Sequence, residues 1–399
     1  MKNRPLSTGM VQVYALAMLF FTANAVLTVI FPLQAAEGGY GEAEIGIMMG
    51  LYMFVCMVLR PWAGQMVAKY SVSTIMKWLL IGHAAALLLY VWMGVDSLFV
   101  VRALQGIVTA FFSMAMQIGV AETVKDEDRG QGMAMYSLST VLPGLYGPAL
   151  ALLLWTGFNG KYLLALIVLL AVLPLLLFIR SPLPKKRQAN ASFTIREMFT
   201  TIKEARKHNG LVLSSFVMLA AACVFGAITT FLPLFMLTEE SGSPALYLFL
   251  QALVVVASRF FLRKHIPSDG KWHPGFMALI LISSIIGTTL LALLPLLGVF
   301  VYSAAVFNGL ATAMMYPALT TYLSFAVPQE TKHILLGLFL ASYDLGFSLG
   351  GFLMGFVVQF GSYQLMFAAC SVIALMALGM VWIRREEQES TFSKTTAAK

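Results

Sequence analysis

Charge is scarce in this chain: of 399 residues, 26 are Lys or Arg and 18 are Asp or Glu, 11% in all, against about a quarter in soluble domains. With 59% of its residues apolar and a mean hydropathy of +0.84, it has too little polar surface to live in water. The only extended polar stretch, near Arg180 to Asn209, is too short for a folded domain, which excludes a separate catalytic domain. Three cysteines, Cys56, Cys223 and Cys370, stand far apart inside apolar stretches. A disulfide framework and a CxxC metal site are thereby excluded. HExxH, GxSxG, a Walker A lysine motif and paired carboxylates near an apolar stretch are all absent, so hydrolysis and ATP-driven pumping have no visible machinery. No metal, no cofactor and no enzyme activity are expected.

What is present is length. Twelve apolar stretches of about 20 residues match a hydrocarbon core of about 30 Å, near residues 11–33, 45–66, 77–95, 97–120, 133–156, 162–180, 211–236, 244–262, 276–294, 297–322, 334–359 and 364–383. The expected fold is an all-α membrane protein. Lys2, Arg4, Arg60, Lys69, Lys77, Lys125, Arg129, the Arg180 to Lys207 group, Arg259, Lys271 and Lys332 fall on one side, and Lys161 with Glu37, Glu42, Glu44, Asp96, Glu239 and Glu240 on the other. Positive-inside asymmetry then puts both termini in the cytoplasm of a multi-pass cell-membrane protein. The net charge of +8 is topological and implies lipid, not nucleic acid, as its surroundings. Ala23-Asn24-Ala25 mimics a signal-peptidase site, but the apolar run continues to Leu33, as in an uncleaved helix. The sequon Asn190-Ala191-Ser192 falls on the cytoplasmic side and carries no glycan expectation.

Residues 1–180 form one half, 181–210 a basic linker and 211–399 a second half. Within the linker, Phe193, Ile195, Met198, Phe199 and Ile202 recur at helical spacing after Ser192, as in an amphipathic helix on the membrane surface. The halves echo one another: Gln105-Gly106-Ile107-Val108-Thr109-Ala110 matches Asn308-Gly309-Leu310-Ala311-Thr312-Ala313 at an offset of 203, and Arg60 matches Arg259 at an offset of 199. Two parallel six-helix repeats place a binding site near the midplane between them.

An ionisable side chain inside a span costs several kcal/mol and is a functional candidate by default. Asp344 lies about ten residues, or roughly 15 Å, into span eleven, deeper than any other acid; it is expected to carry a proton or pair with a cationic group. Arg102 lies about a turn and a half into span four, with Gln105 and Gly106 on its face; it can bind a carboxylate or bias a proton site, but stays charged. His83, alone on an apolar helix, reads as a packing residue. Asn24, Tyr52, Tyr136, Tyr146, Gln251, Asn308, Tyr316 and Tyr343 are spread over both halves at cavity depths and complete the candidate binding set. The 24 Met and 29 Phe read as lipid-facing or packing groups.

Several segments resemble the major facilitator superfamily. Arg60-Pro61-Trp62-Ala63-Gly64 before Lys69 is similar to that family's loop between spans two and three, in which a glycine makes a tight turn and charges latch a cytoplasmic gate. That resemblance implies gate roles for Arg60, Gly64 and Arg259, although Ala68 and Ser71 stand where the family has aspartate and glycine. Arg102 through Gly106 resembles the span-four motif linked to proton coupling in drug antiporters. Gly147-Pro148 resembles the core of the antiporter motif, with Pro143, Ala151 and Leu152 replacing its other glycines.

Further blocks are similar to a branch of the superfamily, the staphylopine-type exporters of nicotianamine-like metallophores. They are Phe20 to Ala25, Arg60 to Gln65, Gln105 to Met114, Ile266-Pro267-Ser268-Asp269-Gly270-Lys271-Trp272-His273-Pro274, Thr321 to Phe325, and Asp344-Leu345-Gly346 with Ser348-Leu349-Gly350-Gly351. The resemblance implies proton-coupled export of an opine-derived metal chelator, with Arg102 on a carboxylate, Asp344 as proton carrier, and no obligatory protein partner. The alternatives are a multidrug:proton antiporter for lipophilic cations, then a membrane enzyme or a non-transporting receptor.

Overall fold

The computed structural model describes residues 4–125, 128–157, 161–179, 181–183, 209–240, 242–262, 265–267, 271–326 and 332–397. Among them, 11 segments are long and apolar enough to cross a membrane. One of these, Val72–Thr123, holds two helices broken at Gly94–Ser97, so twelve long helices result. They are α1 (Thr8–Glu37), α2 (Glu42–Lys69), α3 (Val72–Met93), α4 (Leu98–Thr123), α5 (Arg129–Gly157) and α6 (Lys161–Ile179), then α7 (Asn209–Thr238), α8 (Pro244–Phe261), α9 (Pro274–Ala292), α10 (Tyr302–Ala326), α11 (Lys332–Phe360) and α12 (Tyr363–Ala397). The linker and the amphipathic helix expected in it fall at 184–208, outside the described residues.

The packing repeats as the sequence does. In the first half α2 lies on α4, α1 on α5 and α3 on α6; in the second, α8 lies on α10, α7 on α11 and α9 on α12. Across the halves, α2 meets α11 and α5 meets α8. The turns repeat too: Gly39 and Gly242 have φ of 83° and 82°, and Gly94 and Gly298 have φ of 59° and 53°. These are left-handed values that favour glycine, at offsets of 203 and 204 residues. One turn differs from the sequence reading. Backbone bonding continues to Tyr70, whose N–H donates to the Met66 carbonyl at 2.9 Å. Arg60 through Gly64 is therefore helix, as the span near 45–66 has it, and not the loop that the family resemblance implies. The chain turns at Tyr70 and Ser71 instead, where the Ser71 hydroxyl accepts the Thr74 N–H at 3.2 Å and caps α3.

Small residues bring α2 and α11 into backbone contact. A Cβ on Gly46 would lie 2.3 Å from the Gly351 carbonyl oxygen, one on Gly50 2.6 Å from that of Ser348, and one on Gly355 2.6 Å from that of Glu42. The opposite side of α11 does the same on α7: Cβ atoms at Gly346 and Gly350 would lie 2.2 Å from the Leu219 oxygen and 2.1 Å from the Cys223 oxygen. Two small-xxx-small pairs, Gly346/Gly350 and Gly351/Gly355, thus clamp α11 between the halves. The Gln359 side chain closes the end of the seam, accepting the Ala43 N–H at 3.1 Å.

The apolar core follows the same division. At the end of the bundle away from the chain termini, one cluster takes in both halves, from Val26, Ile30 and Met48 to Ile228, Phe231 and Met354. At the end carrying the termini the core is split. One cluster, with Val13, Met76 and Phe112, belongs to the first half, and another, with Val217, Leu281 and Phe339, to the second. The halves are joined at one end and parted at the other. Replacing Gly46 by Leu should force the seam apart, at about 2 kcal/mol for overpacking. We expect disulfide trapping between cysteines placed at Ala43 and Gln359 to fall by roughly thirtyfold; unchanged trapping would show that the seam tolerates a side chain.

Candidate functional site

Where the shared core gives way to the split ones lies a cavity of about 770 Å³, lined by both halves and within the ~300–1,000 Å³ usual for small-molecule sites. Of the sequence-derived binding set, Asn24, Tyr52, Tyr136, Gln251, Asn308, Tyr316 and Tyr343 line it. The two arginines expected at a gate, Arg60 and Arg259, line it as well, and no acidic residue is among its lining residues.

The remaining candidates stand behind this wall. Arg102 is 1% exposed. Its guanidinium lies 4.7 Å from the Phe31 ring centroid and 5.5 Å from that of Tyr52, cation–π contacts that hold a charge away from water. It donates to the Leu27 carbonyl at 3.2 Å and to Gln105 Oε1 at 3.4 Å. Gln105 donates to Asn24 Oδ1 at 3.4 Å, and Asn24 in turn donates to Tyr52 and Thr109 at 3.4 and 3.3 Å. Arg102 therefore connects to the cavity surface through two amides. Tyr146 is bonded to the Thr22 hydroxyl and Gly147 packs on Ala25, where an added Cβ would lie at 2.7 Å. Pro148, beside it, reaches the cavity. His83 is buried against the Phe20 ring at 4.6 Å.

Asp344 is fully buried and ion-paired with Arg60, whose Nη2 donates to Oδ1 at 2.9 Å while Nε bonds Oδ2. The sequence placed these residues in separate roles, one at a gate and one at mid-depth. Asp344 stands about 18 Å along α11 from Lys332, and the side chain of Arg60 reaches it from α2. The pair is bidentate, the geometry in which guanidinium and carboxylate hold each other best. It crosses from one half to the other, and Arg60 also faces the cavity.

Sequence reasoning passed over Phe21, Thr28, Gln117, Thr140, Phe225, Thr229 and Thr312, which also line the cavity. Phe21, Asn24 and Thr28 recur at helical spacing, a stripe that was there to be read. The hydroxyls gave little signal because they satisfy themselves on their own helix: Thr28 donates to the Asn24 carbonyl at 2.7 Å and Thr312 to that of Asn308 at 2.8 Å. Among the described residues no group of three His, Cys, Asp or Glu could hold a metal ion.

The sequence model of the Major Facilitator Superfamily matches residues 13–282 and 271–399. The chain is 37% identical over 379 residues to the staphylopine export protein of Staphylococcus aureus (strain Mu50 / ATCC 700699), a match covering 94% of this chain and 95% of that one. Among solved structures it is similar to a point mutant of the nucleoside transporter NupG, with a TM-score of 0.75, 14% identity and coverage of 94% of this chain and 98% of that one. It is also similar to a point mutant of the peptide transporter POT, with a TM-score of 0.76, 12% identity and coverage of 95% and 94%. At such identities the structural likeness speaks to the fold. Two six-helix halves, a cavity between them and a family match along almost the whole chain agree: this multi-pass membrane protein belongs to the Major Facilitator Superfamily and is a transporter, not an enzyme.

Proposed function

We propose that this transporter exports a nicotianamine-like, opine-derived metallophore of the staphylopine type from the cytoplasm, in exchange for protons. The observation that carries the substrate is the 37% identity to the staphylopine export protein across 94% of the chain. The cavity supports the same choice. Two guanidiniums and several amides and hydroxyls, with no carboxylate among the lining residues, suit a molecule with carboxylates and amines. They disfavour the lipophilic cations of a multidrug antiporter.

Positive-inside asymmetry puts the end carrying the termini, where the core is split, in the cytoplasm of the cell membrane. The cavity then faces inward and the α2–α11 seam closes the outside. In this state Arg60 holds Asp344 in a bidentate pair. Cargo loads from the cytoplasm. Once the halves rock over, Asp344 takes a proton from outside, its carboxyl becomes neutral and releases the still-charged Arg60, and the empty carrier returns with that neutral carboxyl, which discharges its proton inward as the pair re-forms. The chain of amides from Arg102 through Gln105 to Asn24 fixes the wall against which cargo rests and keeps a positive charge behind it.

In everted vesicles with an acidic lumen, export appears as uptake, and nicotianamine is a suitable probe. Accumulation should depend on the pH gradient, and Asp344→Asn should lower it at least about tenfold, the loss of one coupling charge pair worth more than about 1.4 kcal/mol. Full gradient-driven uptake by Asp344→Asn would remove that residue from coupling. Orientation has its own check. A membrane-impermeant maleimide should label Glu239→Cys in intact cells and Lys271→Cys only after permeabilisation; the reverse pattern would invert the topology.

A further inference from the structure

The two repeats give the cavity walls that differ in one respect. At an offset of 199 residues, Tyr52 and Arg60 on α2 correspond to Gln251 and Arg259 on α8. On α2 both groups are satisfied within the protein. Tyr52 is hydrogen-bonded to Thr109 and Asn24, and Arg60 is paired with Asp344. On α8 neither is. Gln251 is 5% exposed, and its Oε1 is buried with no hydrogen-bond partner; Arg259 Nε is likewise buried and unpartnered. The groups that face Arg259 from neighbouring helices are the phenols Tyr316 on α10 and Tyr343 on α11, which supply no negative charge in their neutral form. The carboxylate on α11, Asp344, is already taken by Arg60.

A guanidinium Nε and an amide oxygen buried without partners on one wall are costly unless something completes them. We propose that α8 is the helix that holds the cargo: Arg259 binds a substrate carboxylate and Gln251 Oε1 accepts one of the substrate's N–H groups. The two stand eight residues apart on α8, about 12 Å of helix rise, so the ligand they complete is an extended zwitterion with its anionic and N–H groups well separated. This assignment rests on the export reading, and it moves the carboxylate contact from Arg102, which does not line the cavity, to Arg259, which does. Coupling and cargo recognition then sit on different groups, the Arg60–Asp344 pair that joins α2 to α11 and the Arg259 and Gln251 side chains of α8.

The test is calorimetry of the full-length protein in lipid nanodiscs, with metal-free nicotianamine and with the same molecule esterified at its carboxylates. The wild type should bind the acid at least about thirtyfold more tightly than the ester, the range of a charge-assisted bidentate contact. Arg259→Gln should bind acid and ester within about twofold of one another, and Gln251→Leu should weaken both by about fivefold. Arg259→Lys, which keeps the charge and fold but not the fork, should lose most of the discrimination. If Arg259→Gln or Arg259→Lys prefers the acid as strongly as the wild type does, the carboxylate lies elsewhere; the proposal falls and the export reading stands. If the wild type ignores the acid and binds a lipophilic cation instead, both fall together.

Discussion

Everything in this molecule hangs on how closely two backbones approach. Gly46 and Gly50 of α2 face Gly351 and Gly355 of α11 with no room for a single methyl between them, and on its other side α11 lies equally close to α7. In lipid there is no hydrophobic drive to gather helices, so the halves are held by contact of this kind. Where it is made, the apolar core runs through both halves as one body. Beyond it the core separates into two, and the space between is the cavity. A seam of small residues at one end is thus the reason for a chamber at the other.

The Arg60–Asp344 pair stands where these regimes meet. It links the halves through charge where packing no longer does, and a charge link can be undone by a proton, whereas a packed seam cannot. Burial makes the switch sharp. A carboxylate without exposure is tolerated as an anion only while its partner stays, so in the proposed exchange cycle moving Arg60 and protonating Asp344 are one event. The amide chain behind Asn24 serves the opposite end. It gives Arg102 a route to the cavity without exposing it.

Much of this was legible in the sequence. Span length, charge asymmetry and the echo between Gln105-Gly106 and Asn308-Gly309 lead to twelve helices in two repeats, since membrane crossing and duplication both leave one-dimensional marks. Seven of the polar residues chosen for depth do line the cavity. What stayed hidden was pairing in three dimensions. Arg60 and Asp344 are 284 residues apart, and nothing in either segment says that they meet. The span near 45–66 already ran through Gly64; the turn that the family resemblance implied at this glycine is absent, and the helix continues to Lys69. The spacing of Gly346, Gly350, Gly351 and Gly355 was on the page, but which helices it brings together is a property of the packed bundle.

The repeats carry corresponding arginines, Arg60 and Arg259, in unequal surroundings. On the proposed exchange cycle, the pair with Asp344 ties Arg60 to the energy source. Its twin on α8 carries no such obligation. If α8 holds the cargo, as proposed, substitutions on α8 and its neighbours would change what is carried while leaving the Arg60–Asp344 pair intact. Transporters with one power stroke and many cargoes can thus arise by small steps, each of them functional.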